Sequence, residues 1–379
     1  MANNNKHTGP NVPALRFPEF SGEWEQCQIK DFGKVITGST PPTSKTEYYD
    51  NGVFLWASPA DLGNVKDVIS TKTKLSQQGF DKCRKIPAHS ILVTCIGSTI
   101  GKMGMATTEM ATNQQINSII PIDCSPDYVY YSIQSRFPKY ITSIATQAVP
   151  ILSKSVFESL DSYKTSIEEQ NKIGKLLHLL DERIDAQSKI IEEQETLLKS
   201  LADKLFLHNN HSCQLSELVN IEKGKQLNAD TLSETGDYYV MNGGITPSGY
   251  YSEYNVPAGA ISISEGGNSC GYVQFNEKPF WSGGHCYSLQ CRTNLVDYKY
   301  IYYYLKTKEA DVMALRIGSG LPNIQKKDIE KFTISYPSLQ LQKQFVKALD
   351  ALSGKINTEK NLLEKYCHQK SYLLSQMFI

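Results

Sequence analysis

The stretch "CIGSTIGKMG", Cys95 to Gly104, follows the apolar run "ILVT" and sets glycines and a lysine where a phosphate could be cradled. A nucleotide loop needs four residues between its glycines, then Lys followed by Ser or Thr for the metal. Here only Ser98, Thr99 and Ile100 separate Gly97 from Gly101, and Met103 follows Lys102. Phosphate chemistry is therefore not expected. His285 beside Cys286 suggests a nucleophile or a metal pair, but no second ligand spacing accompanies it. Asp61 and Asp67 read as turn and solvated carboxylates. An amino-methyltransferase motif of Asn-Pro-Pro-aromatic type and a Glu-x-Lys nuclease tail are both missing, so no catalytic residues and no metal ligands are assigned.

What the loops do offer is hydrogen-bonding side chains suited to base edges: Asn and Gln match adenine bidentately, and Lys reaches guanine or phosphate. In the first half of the chain these are Ser39, Thr40, Ser98, Thr99, Lys102, Asn113, Gln114 and Gln115. The second half offers Lys225, Asn242, Asn268, Ser269 and His285. Asn, Ser and Thr also stabilise turns, so each candidate has a structural alternative.

The elements that position these loops are written twice. "SIEEQNKIGKLLHLLDERIDAQSKIIEEQETLLKSLADKLF" (Ser166–Phe206) and "SLQLQKQFVKALDALSGKINTEKNLLEKYCHQKSYLLSQMF" (Ser338–Phe378) align without a gap. "CQIKDFGKVITG" from Cys27 matches "CQLSELVNIEKG" from Cys213, and "YVYYSIQS" at Tyr128 matches "YIYYYLKT" at Tyr300. "PAHSILVTCIGSTIG" from Pro87 aligns with "PAGAISISEGGNSCG" from Pro257, so Gly97 and Gly101 recur as Gly267 and Gly271 while Lys102 becomes Tyr272. Recurring glycines in a varying loop point to a shared backbone turn.

Between the repeated markers, β-branched and aromatic runs such as "GVFLWAS", "SILVT" and "AISIS" read as strands, and the tyrosine-rich segments "YVYYSIQSRFPKYI" and "DYKYIYYYLKTKEADVM", the latter ending at Met313, as helices closing each unit. The Ser166 and Ser338 segments carry heptad seams: Ile173, Leu177, Leu180, Ile184, Ile191, Leu198, Leu201 and Leu205 in one, Phe345, Leu349, Leu352, Ile356, Leu363, Leu373 and Met377 in the other. Gln187 and Glu359 break both seams at the same repeat position. The first segment has six basic and nine acidic residues, the second six and three, so their nets of −3 and +3 favour pairing with each other. A globular unit must fit between them, which makes the pair antiparallel.

The expected fold is thus α+β: two mixed α/β units related by an internal repeat and separated by two long helices forming an antiparallel coiled coil. The boundaries are a leader at 1–20, a first unit at 21–165, a first spacer helix at 166–210, a second unit at 211–337 and a second spacer helix at 338–379. With 39 basic and 39 acidic residues in 379, the chain has no net charge with which to grip DNA unaided. Nine scattered cysteines without a C-x-x-C pair read as reduced thiols, and no apolar run is long enough to span a membrane, so a cytoplasmic location is expected.

This duplicated unit-plus-helix, with the leader "LRFPEFSGEWE" and the helix start "SIEEQNKIGKLL", resembles the specificity subunits of type I restriction-modification systems over nearly the whole chain. The resemblance implies two target-recognition domains, each reading half of a split double-stranded DNA sequence, with the helices as a ruler. It also implies two methyltransferase subunits docked on the helices, restriction and translocase subunits joining through the complex, and S-adenosylmethionine held by the methyltransferase rather than by this chain. The chain itself is expected to be non-catalytic, with no membrane partner. The alternative is a coiled-coil scaffold that binds no DNA.

Overall fold

The computed structural model describes residues 10–63, 65–144, 151–207, 211–318, 320 and 322–379; residues 1–9 of the expected leader lie outside them. The chain forms two compact units, residues 1–189 with 361–379 and residues 190–360, so each takes in one end of each long helix.

In the first unit, the buried strand Ile91–Thr94 lies between Ile116–Pro121 and Met103–Ala106. Gly33–Thr37 and Asp67–Val68 complete the five-stranded sheet. A four-stranded sheet holds Phe54–Ala57, Thr73–Leu75, Lys85–Ile86 and Met110–Thr112. In the second unit, Val219–Lys223, Cys286–Cys291, Ala260–Ser264 and Val273–Asn276 form the main sheet in that order. Its register repeats the first: Thr37 pairs with Asn117 as Lys223 pairs with Tyr287, and Thr94 with Ile116 as Ser264 with Cys286.

Both tyrosine-rich segments are helical, Pro126–Ile144 and Tyr298–Thr307. The second departs from the continuous helix expected through Met313. It breaks at Lys308 and restarts at Glu309, whose carboxylate accepts from Val273 N (2.9 Å) and Lys306 Nζ (2.6 Å). Tyr128, Tyr131 and Tyr300 are fully buried. Burying a phenol requires a partner for its hydroxyl, and the repeat supplies it twice: Tyr128 donates to Tyr163 O (2.8 Å) and Tyr300 to Ser335 O (2.9 Å).

The long helices run Ile167–Leu205 and Leu339–Met377, 39 residues each. In the first unit, Ile173 and Leu177 from the start of one share a core with Met377 and Phe378 at the end of the other. In the second unit, Phe345 and Leu349 share a core with Ala202 and Phe206. The two helices are therefore antiparallel within each unit. Every seam residue is buried or half-buried. Opposite charges meet where the sequence balance implies: Lys370 with Asp181 at 2.5 Å in the first unit, Lys360 with Glu195 at 2.6 Å in the second.

Two buried amides tie each helix start to its own unit. Gln170 accepts from Ser125 N (3.0 Å) and donates to Thr165 O (2.7 Å); Gln342 accepts from Asp297 N (2.7 Å) and donates to Pro337 O (2.8 Å). The leader adds a tie without a counterpart in the repeat, since Arg16 and Glu169 form a bidentate pair at 2.8 Å with both side chains almost fully buried.

Candidate nucleic-acid interface

One hydrogen-bonded frame holds the candidate loops in both units. In the first, Gly38 N donates to Ile116 O (3.0 Å), Ser39 N to Thr112 O (2.7 Å), Asn113 N to Ala57 O (2.8 Å) and Cys95 N to Gln115 O (2.8 Å). In the second, Gly224 N donates to Cys286 O (2.8 Å), Lys225 N to Ser282 O (2.8 Å), Gly283 N to Met241 O (2.8 Å) and Glu265 N to His285 O (2.9 Å). Even the indole that caps the loop recurs: Trp56 Nε1 donates to Ser39 O (3.0 Å), and Trp281 Nε1, from a different strand, to Lys225 O (2.8 Å).

The loop that opened the phosphate question is a turn of this frame. Gly101 N returns to Thr94 O (2.9 Å) and Gly271 N to Ser264 O (2.8 Å). Gly101 and Gly271 have φ of +89° and +90°, and a Cβ there would meet the Phe137 ring at 2.6 Å and the Met313 backbone at 2.7 Å. Close approach and left-handed backbone both require glycine.

On this frame the first unit gathers Thr40, Asn113 and Gln114. Thr40 Oγ1 donates to the Gln114 side chain and accepts a long bond from Asn113 Nδ2 (3.5 Å). Ser39 Oγ is taken by Arg84 N (2.9 Å), which gives it a structural task. Gln115 lies beside Gly97, where its amide is 3.6 Å from the position a Cβ would take, so exposed Ser98 and half-buried Thr99 adjoin it. Lys102 is set apart: its stem lies against Gly63 and lines a groove with Phe137 and Ile141. Neutral amides and hydroxyls thus dominate this head. Cys95 lies on its inner side, where burial pushes its thiol up to about 12.

The second unit gathers Asn242 and His285 along a cleft of about 710 Å³, which Lys223, Glu265, Gly267 and Asn323 also line. His285 N donates to Asn242 Oδ1 (3.1 Å) and its Nδ1 lies 3.3 Å from Glu265 Oε2. Asn268 and Ser269 form the turn after Gly267, the first exposed and the second half-buried, and Lys225 is exposed on the neighbouring loop.

Three charged residues, Glu265, Lys223 and Lys66, escape the sequence analysis. Glu265 is buried, accepting from Lys223 Nζ (2.5 Å) and the Tyr287 hydroxyl (3.0 Å). Burial, then the bond and charge of Glu265, hold the Tyr287 phenol well above its ordinary range. The signal for Glu265 is its place in the repeat, a carboxylate where the first copy has Cys95 at the end of a buried strand. Lys66 is also buried, its ammonium 2.6 Å from both Asp127 Oδ1 and His178 Nδ1, and no periodicity marks it. Asp61 accepts from Ser58 N (2.9 Å) and Lys72 N (2.8 Å), a turn role. Among the described residues no group of three His, Cys, Asp or Glu is placed to hold a metal, and no helix is long and apolar enough to cross a membrane.

Comparison with known proteins places this architecture. The type I restriction modification DNA specificity domain matches the chain twice, at residues 21–196 and 209–365. A type I specificity subunit of Mycoplasma genitalium is 23% identical over 303 residues, 75% of this chain and 79% of that one. The MjaIX specificity subunit of Methanocaldococcus jannaschii is 30% identical over 191 residues, 48% of this chain and 43% of its own length. Among solved structures, the S subunit of a type I restriction-modification system from M. genitalium covers 97% of this chain and 99% of its own, with TM-score 0.71 at 20% identity. A chain from work on complex assembly and conformational transition of a type I system covers 93% and 97%, with TM-score 0.55 at 15% identity.

Proposed function

The chain belongs to the type I restriction modification DNA specificity family, and from that premise we propose that its two units read the two halves of a bipartite DNA target while the paired long helices set the gap. One observation carries this reading: the same hydrogen-bonded frame recurs in both units, yet its loops present Thr40, Asn113 and Gln114 in one and Lys225, Asn242 and His285 in the other. A constant frame with different donors and acceptors suits two half-sites of unrelated sequence. Two similar heads at a fixed spacing are also how paired elements read separated sites.

The chain acts as the non-catalytic recognition subunit. Methyl transfer from S-adenosylmethionine and DNA cleavage belong to partner subunits, with two methyltransferase subunits docking on the helices. The first long helix supports docking with a second set of apolar residues outside its seam: Leu176 and Leu179 in the first unit, Ile190 and Leu197 in the second, all exposed. Exposed leucines at helical spacing, flanked by charge, are suited to a protein partner. Balanced charge fits this division of labour, because the grip on phosphates must come largely from elsewhere.

The test is selection from a random duplex pool by the chain with its methyltransferase subunits, alongside the chain alone. The proposal expects two short conserved blocks at a fixed gap with the complex, weak selection without partners, and no methylation by the chain alone. A single uninterrupted block, or methylation by the isolated chain, would contradict it.

A further inference from the structure

The two reading heads differ most sharply where the frame is most alike. Thr37, Cys95, Gln115 and Asn117 of the first unit occupy the frame positions that Lys223, Glu265, His285 and Tyr287 occupy in the second. In the first unit this set is uncharged, with Thr37 Oγ1 donating to Asn117 Oδ1 (2.7 Å). The frame therefore folds without charges. Burying a carboxylate is costly unless it is paired and hydrogen-bonded, so an ionic cluster added to a frame that does without one implies another use.

Geometry indicates that use. Glu265 is the fixed member, with 10% of its side chain exposed, while Lys223 and His285 are 52% and 62% exposed on the same cleft. Glu265 is held through its backbone on both sides, its N donating to His285 O (2.9 Å) and its O accepting from Ile324 N (2.8 Å). Gly243, at φ +82°, brings the chain so close that a Cβ there would sit 3.1 Å from His285 Cβ. The carboxylate occupies one of the three ammonium donors of Lys223, and since it can only accept, it favours the His285 tautomer with the proton on Nδ1. The cleft then presents ammonium donors beside an imidazole Nε2 acceptor.

We propose that this cleft reads one G·C base pair of the second half-site through its major-groove edge. Lys223 donates to guanine O6 and N7, His285 Nε2 accepts from cytosine N4, and Glu265 is the positioning residue that holds both readers. Lysine to guanine O6/N7 and an acceptor to cytosine N4 are complementary to this pair and to no other at the same place. The inference deepens the proposed function and rests on it.

The experiment is selection from random duplex DNA by the full chain with its methyltransferase subunits, comparing wild type with Lys223→Met, His285→Ala, Glu265→Gln and the double variant Lys223→Met/Glu265→Gln. His285 is exposed, and the double variant removes the buried carboxylate together with its ammonium partner, so these two keep the fold even where Lys223→Met or Glu265→Gln alone does not. The expected result is a G·C position in one half-site at which Lys223→Met loses about ten-fold or more of its discrimination, with the other half-site unchanged. Glu265→Gln relaxes the same position, and the double variant is no worse than Lys223→Met alone, the signature of action through one reader. Selection by wild type with the second half-site untouched in all three single variants would overturn this inference and leave the bipartite reading standing. So would relaxation at an A·T position, or a uniform weakening of the whole half-site. No sequence selected by the wild-type complex would overturn both.

Discussion

Gln170 and Gln342 are the residues on which the attachment of each long helix to its own unit turns. Each is buried, and each bridges a backbone N–H from the start of the tyrosine-rich helix to a carbonyl just before the long helix. Removing either amide strands a buried donor and acceptor, which costs about 1–3 kcal/mol. Gln170→Ala and Gln342→Ala are expected to lose similar stability in urea unfolding, because the repeat gives them the same partners; a loss confined to one would break the equivalence. The thiols offer a second check. Burial pushes Cys95 up to about 12 and Cys286 up to about 11, whereas Cys291 and Cys367 are exposed. Alkylation of the native protein followed by peptide mapping should therefore modify Cys291 and Cys367 first and reach Cys95 and Cys286 only on unfolding. Much at this scale was legible in the sequence. The turn glycines declared themselves through the repeat. Glu265 and Lys66 did not, since a lone charge in a strand or loop reads as solvated until tertiary structure supplies Lys223 or Asp127.

The long helices were the most legible elements, because a seam repeated over several turns with matching polar breaks leaves little freedom. Their pairing followed from charge and their direction from the globular unit that must fit between them; the ion pairs Lys370–Asp181 and Lys360–Glu195 express the pairing locally. What the seam concealed was the flank beside it. Leu179 and Leu197 fall outside the heptad count and are exposed. Leu179→Glu and Leu197→Glu should shift stability by no more than about 0.5 kcal/mol, as surface changes do. Both should nevertheless weaken capture of the methyltransferase subunits in a pull-down. Unchanged capture by both variants would remove the docking role from this face. The break at Lys308 was not legible, because Lys and Glu are both good helix formers and the turn is set by the long-range bond from Val273 to Glu309.

For the whole molecule the central claim is that the paired helices measure DNA between two reading heads. Inserting one heptad after Gln187 and one after Glu359, the matching polar breaks, keeps the seam in phase. Seven residues lengthen a helix by about 10 Å, close to three base pairs at about 3.4 Å each. Three base pairs also rotate the second half-site by about 100°, given about 10.5 per turn, so affinity for the original site is a poor readout. The decisive measurement is the methylome, or selection from random DNA, produced by the double-insertion chain with its methyltransferase subunits. The account predicts both half-sequences unchanged and the gap between them longer by about three base pairs. Recovery of both half-sites at the original gap, with undiminished strength, would contradict it.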